Sequence, residues 1–161
     1  AQKLYKKQAS RLDLDKLANV MGYYAQYVND LSKVKLMKLL WYTDVLFYTR
    51  FKVSMTGLVY KHMSLGALPL ASVEIINLRT IDTVEELINQ DVVYRVVPKQ
   101  EILLSSFTFD ELSVLQLICR TFLDYTNKEI ISYMLDEKVF KETELNEVIS
   151  YDVASGLKYL K

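Results

Sequence analysis

Apolar residues recur every three to four positions between Asp15 and Leu31, at Leu17, Val20, Met21, Tyr24, Tyr27, Val28 and Leu31, and this period predicts an amphipathic helix. Asp30 and Ser32 interrupt it and offer caps for a second helix, Lys33 to Phe51. There the apolar positions occupy more than one face, as in a helix packed on several sides, so this segment is expected at the centre of the fold. Thr56-Gly57 then marks a turn, because glycine tolerates the positive backbone angle that tight turns demand. Leu58 to Met63 reads as a strand, and Gly66-Ala67-Leu68-Pro69 as a bend that ends it. Leu70 to Ile88 is ambiguous between short helices and short strands, with Thr83 and Glu86 spaced as a capping box that favours a helical turn. The β-branched run Val92 to Val97, closed by Pro98, predicts a second strand that pairs with the first.

The remainder reads as helical. Thr108 with Glu111 forms a capping box before a helix that sets Leu112, Leu115, Ile118, Cys119 and Phe122 on one face. Thr126 with Glu129 repeats the device before Ile130 to Leu135, and Ser150 caps a last helix with Val153, Leu157 and Leu160 inward. The expected fold class is mainly α: a compact helical domain with a small antiparallel β-sheet (α+β).

Composition narrows the function classes. The chain has 161 residues, half of them hydrophobic and a quarter charged, with four glycines and two prolines, which suits one globular domain with little linker. Twenty basic and twenty acidic side chains cancel, so the dense basic surface needed to wrap nucleic acid is missing. Lys3, Lys6, Lys7 and Arg11 are the local exception: residues 1–14 read as a basic N-terminal junction following a further segment, and residues 15–161 as the domain. One cysteine, Cys119, forms neither an internal disulfide nor a cysteine-based metal site, and no apolar run nears twenty residues. The expectation is a cytoplasmic protein with no membrane partner.

Asp44 is the most informative polar residue. Helix geometry sets it on the same face as Met37, Leu40, Trp41, Phe47, Tyr48 and Phe51, so folding carries a carboxylate into an apolar layer. It then accepts hydrogen bonds from the Thr56 to Tyr60 turn, pairs with Lys61, or contacts a partner. His62, the single histidine, has no companions at metal-ligand spacing, and no nucleophile elbow or phosphate-cradling glycine loop occurs. No catalytic residue, metal or cofactor is therefore expected, and a non-enzymatic role follows. Tyr23, Tyr24, Tyr42, Tyr48, Tyr60, Tyr94 and Tyr133 exceed the needs of a core this size, and tyrosine is enriched at interfaces, which favours a protein-binding surface. The expected contact set is Tyr60, His62, Met63, Leu65 and Leu68, a cluster of large side chains around the strand and bend.

Lys35, Leu36, Lys38, Leu39, Leu40, Trp41, Tyr42 and Asp44 match a K-L-x-K-L-L-[FYW]-Y-x-D helix motif. Thr56, Gly57 and Tyr60 match T-G-x-x-Y, and Gly66 with Pro69 a G-x-x-P bend. Phe107 to Leu112, Lys128-Glu129-Ile130 and Ile149-Ser150-Tyr151 with Ala154 continue the series. In that order, from about Leu17 to Leu160, the chain resembles the SocA-like antitoxin family, also called the Panacea domain. Two departures stand out. A Ser-His-x-Glu or Met-His-x-Glu segment of the family appears as Met134-Leu135-Asp136-Glu137, which keeps the glutamate and loses the histidine, and the commoner Gly-Pro-Val-Pro bend is Gly66-Ala67-Leu68-Pro69. The resemblance implies a module that binds and neutralises a cognate protein toxin. Its rivals are a partner-sensing domain of a transcriptional or phage-related regulator, a proteolytic adaptor, and an unrecognised enzyme, with DNA or a protease as further partners. The residues expected to hold the fold's signature are Lys38, Trp41, Asp44, Thr56, Gly57, Gly66, Pro69 and Glu137; oligomeric state is open.

Overall fold

The computed structural model describes residues 11–161, so the basic run Lys3, Lys6 and Lys7 lies outside the described residues. Helix α1 (Leu14–Tyr27) starts where the Asp13 carboxylate accepts from the Lys16 amide. It ends at Val28, which is extended, before Asp30 turns the chain with φ of 53°. Helix α2 (Lys33–Phe51) has the predicted bounds, because both of its signals are local. The Ser32 hydroxyl accepts from the Lys35 amide at the start, and Lys52 takes a left-handed conformation at the end. Every side chain from Lys35 to Tyr48 is buried, as expected of the central element.

Around α2 the chain lays two separate antiparallel sheets. Strands β1 (Tyr60–Met63) and β2 (Gly66–Pro69) form a hairpin whose turn is Ser64-Leu65, and β5 (Val148–Ile149) joins the other side of β1 to give the order β2-β1-β5. The segment read from sequence as a bend is therefore a strand, with Met63 opposite Gly66 and Tyr60 opposite Pro69. Pro69 is tolerated because it closes an edge strand, where a missing N–H breaks nothing. Past a helical turn, α3 (Ser72–Ile75), come β3 (Ile81–Ile88) and β4 (Asp91–Pro98). Two sequence expectations fail here. The Thr83 and Glu86 spacing does not start a helix, since both lie within β3, opposite Val96 and Val93. The Val92 to Val97 strand pairs with β3 rather than β1. Asn89 and Gln90, with φ of 50° and 70°, make a two-residue turn whose twist suits a hairpin, and the adjacent β4 outcompetes any local cap.

This hairpin is tied to the helices at its base. The Val96 amide donates to Leu31, the Thr80 hydroxyl to Ala18, and Arg95 pairs with Asp30 and Glu86. After a 3-10 turn (Leu104–Ser106), helices α4 (Phe109–Phe122) and α5 (Asn127–Leu135) begin at Thr108 and Thr126, each with a complete reciprocal capping box. Both pack against α2. Short helices α6 (Lys138–Glu142) and α7 (Tyr151–Ala154) close the fold, the latter capped by Ser150. Leu157 and Leu160 are buried beyond α7, whereas Val153 is exposed, because a single turn of helix offers one inward face and Tyr151 and Ala154 take it. The expectation of a mainly helical α+β domain holds. Among the described residues no helix is long and apolar enough to cross a membrane.

Candidate functional site

Asp44 lies at the junction of α2 with the first sheet and is fully buried. One carboxylate oxygen accepts from the Thr56 amide at 2.8 Å; the other accepts from the Thr56 hydroxyl at 2.6 Å and the Tyr60 hydroxyl at 2.7 Å. Of the sequence alternatives, the structure shows hydrogen bonding to the turn, and Lys61 takes no part. Burial pushes the Asp44 carboxyl up to about 6, against the opposing pull of these donors. Between the ordinary value of 3.8 and about 6 the folded protein keeps a proton on Asp44 that the unfolded chain has released, so its contribution to stability declines as pH rises through that window. Urea titrations at pH 4 and pH 7.5 should therefore show wild type losing about 2–3 kcal/mol relative to Asp44→Asn as pH rises, two units at 1.36 kcal/mol each. A difference independent of pH would contradict that assignment.

Thr56-Gly57 has a second task. Gly57 has φ of 80°, and a Cβ placed there would lie 2.5 Å from the Arg11 carbonyl oxygen and 2.6 Å from the Leu12 Cα. The chain entering α1 thus passes directly over the turn, and the Asp13 amide donates to the Thr56 carbonyl at 2.9 Å. Only a glycine leaves room for that backbone.

A second buried carboxylate is Glu137. It accepts from the Tyr42 hydroxyl at 2.7 Å and from the Lys158 amide at 2.8 Å, tying α2 to the C-terminal segment. Trp41 packs edge-on against Tyr42 and at 5.3 Å against Phe140. Leu135, where the family histidine is missing, is half-buried against the core. Cys119 is also half-buried, and burial pushes its thiol up. Among the described residues, no cluster of three or more His, Cys, Asp or Glu is arranged to hold a metal ion.

The expected contact set divides. Tyr60 is 1% exposed and committed to Asp44, so it belongs to the core and not to an accessible patch. His62 is half-buried, its Nδ1 2.9 Å from the Thr143 hydroxyl and its ring edge-on to Phe140. Met63, Leu65 and Leu68 do come together. With Val34, Met37 and Lys38 of α2 they line an open cleft of about 440 Å³. The tyrosine surplus also reads differently in three dimensions: Tyr23, Tyr24, Tyr42, Tyr48 and Tyr60 are buried, Tyr133 is half-buried, and Tyr94 alone of that group is exposed. A residue count carries no information on which rings face inward.

The two motif lysines are treated unequally. Lys35 donates to the carbonyls of Leu123 and Tyr125, satisfying the C-terminal end of α4, where the helix dipole favours a cation. Lys38 donates to the Ala67 carbonyl at 3.1 Å, covering the outer edge of β2 beside Met134, whose sulfur accepts from the Ala67 amide. Sequence periodicity places Lys38 on α2; it gives no sign that the residue lines a cleft.

With this geometry in place, the comparisons with known proteins fall on one side. A family model described as antitoxin SocA-like, Panacea domain, matches residues 36–140, more than half of the chain and narrower than the span from Leu17 to Leu160. Neither curated proteins nor solved structures yield a match.

Proposed function

Because the chain belongs to the SocA-like antitoxin family with its Panacea domain, we propose that it is an antitoxin-type module that neutralises a cognate protein toxin by direct binding. The observation that carries the reading is the apolar β1–β2 ledge. Leu65 at the hairpin turn is 51% exposed, and Met63 and Leu68 continue its surface along the cleft. Large apolar side chains on a rigid hairpin cost little to order on binding, which suits a contact surface. The reading treats the chain as non-enzymatic. In its support, the two most deeply buried carboxylates among the described residues, Asp44 and Glu137, are engaged in holding elements together. A cytoplasmic location goes with the proposal, as the place where toxin and antitoxin meet.

The test is co-expression of the neighbouring gene with and without this chain. Restored growth together with a co-purifying complex supports the antitoxin reading; faster decay of the neighbour's product without a stable complex favours a proteolytic adaptor instead. Leu65→Asp should weaken the complex about 30-fold or more, the scale of an interface hot spot, with an unchanged unfolding midpoint. Undiminished binding in that variant would move the contact away from the hairpin.

A further inference from the structure

Lys38 is 3% exposed, yet its ammonium has one acceptor among the described residues, the Ala67 carbonyl. An ammonium carries three N–H donors, so two remain for solvent or a ligand. No ion pair among the described residues involves Lys38, and the ten residues before Arg11 contain no Asp or Glu. Burial, with no carboxylate to oppose it, pushes the ammonium down to about 8, so it is still charged at neutral pH. A buried cation without an anion is costly, and an anion arriving from outside removes that cost.

The cleft gives that anion a route and adds requirements of its own. Its lining is mainly apolar, with Lys33, Ser64 and Ser72 among the residues that complete it, while the Lys33 ammonium itself lies over the Tyr94 ring. About 440 Å³ admits a few side chains rather than a folded domain. Both backbone groups of Ala67 on the β2 edge are occupied, by Lys38 and by the Met134 sulfur, so the occupant is read by its side chains and not by adding a strand at that position.

We propose that this cleft takes an apolar segment of the partner protein bearing an Asp or Glu side chain, whose carboxylate reaches the Lys38 ammonium while the flanking apolar side chains lie on Met63, Leu65 and Leu68. The proposal deepens the antitoxin reading and rests on it for the partner being a protein.

The experiment is a methyl and amide NMR titration of the full chain with two peptides, acetyl-Leu-Phe-Glu-Leu-Leu-amide and the same peptide with Gln in place of Glu. Both should shift Met37 and Met63, and the Glu peptide should bind at least about tenfold more tightly, as a charge-assisted hydrogen bond requires. Lys38→Met should erase the preference, leaving both peptides at the affinity of the Gln form. As a variant that leaves the interior untouched, Ser64→Glu sets a carboxylate on the exposed turn at the cleft and should weaken the Glu peptide alone. Equal affinities on the wild type, no binding of either peptide, shifts elsewhere on the molecule, a preference that survives in folded Lys38→Met, or a Glu peptide unaffected by Ser64→Glu would each overturn the assignment. None of these outcomes involves a toxin. A peptide preference without growth rescue would remove the antitoxin reading and keep the cleft chemistry, and rescue without a preference would do the reverse.

Discussion

Asp44→Ala should lower the unfolding free energy by about 3–5 kcal/mol, the usual scale for removing one partner from a buried polar network. The loss does not come from the carboxylate's own attraction, which desolvation largely offsets. It comes from what is left behind: the Thr56 amide, the Thr56 hydroxyl and the Tyr60 hydroxyl all point at Asp44 from buried positions. An alanine leaves all three without an acceptor, and each stranded donor costs about 1–3 kcal/mol before relaxation. Asp44→Asn keeps one oxygen and the volume, and both hydroxyls can reverse to accept from its amide, so its cost at neutral pH should be well below that of alanine. Urea denaturation of the two variants measures this. A midpoint for Asp44→Ala equal to that of wild type would mean that α2 and the first sheet are held together without the clamp.

Gly57→Ala should cost about 2–4 kcal/mol, from two sources that separate experimentally. A side chain at positive φ costs about 1–2 kcal/mol by itself. The rest is steric, because the new Cβ meets backbone atoms of Arg11 and Leu12, which cannot swing aside as a flexible side chain would. Pushing that segment away also disturbs Asp13, whose amide bonds to Thr56 and whose carboxylate caps α1. Gly156 supplies the control: its φ is 93° but nothing lies within 4 Å of the added carbon, so Gly156→Ala should show the backbone cost alone. Hydrogen exchange at the Asp13 and Lys16 amides should speed up in Gly57→Ala and not in Gly156→Ala. Equal destabilisation by both variants would refute the close approach of the two segments.

These effects explain why a short Thr-Gly sequence stands out in the chain. Thr56 presents its amide and hydroxyl to Asp44 and its carbonyl to Asp13, while Gly57 leaves space for the entering backbone. Such a position tolerates little substitution because one residue pair serves three elements at once.

Signals confined to a few consecutive residues are legible in the amino-acid sequence. Ser32 and the two Thr-x-x-Glu boxes mark the starts of α2, α4 and α5, since a cap and the amide it satisfies are three residues apart. The burial of Asp44 is equally legible, because a regular helix fixes which residues share a face. Thr83 and Glu86 show where such local signals stop. They have the same spacing as the functioning boxes, yet Asp91 to Pro98 across a tight turn offers eight paired positions where a cap satisfies two amides. Strand β2 is hidden for the same reason: its partner β1 and its covering lysine lie elsewhere in the chain.

By itself the sequence determined the capped starts of α2, α4 and α5, the central place of α2, the buried carboxylate and the family, since each is written in neighbouring residues or in an ordered series of short motifs. Only the tertiary structure decided which tyrosines are interior, that Tyr60 is a clamp residue, and that Lys38 lines the same cleft as Met63, Leu65 and Leu68. The physical reason is that burial and electrostatic pairing depend on what the fold brings alongside a residue. For Lys38 that neighbour, Ala67, is twenty-nine positions away along the chain.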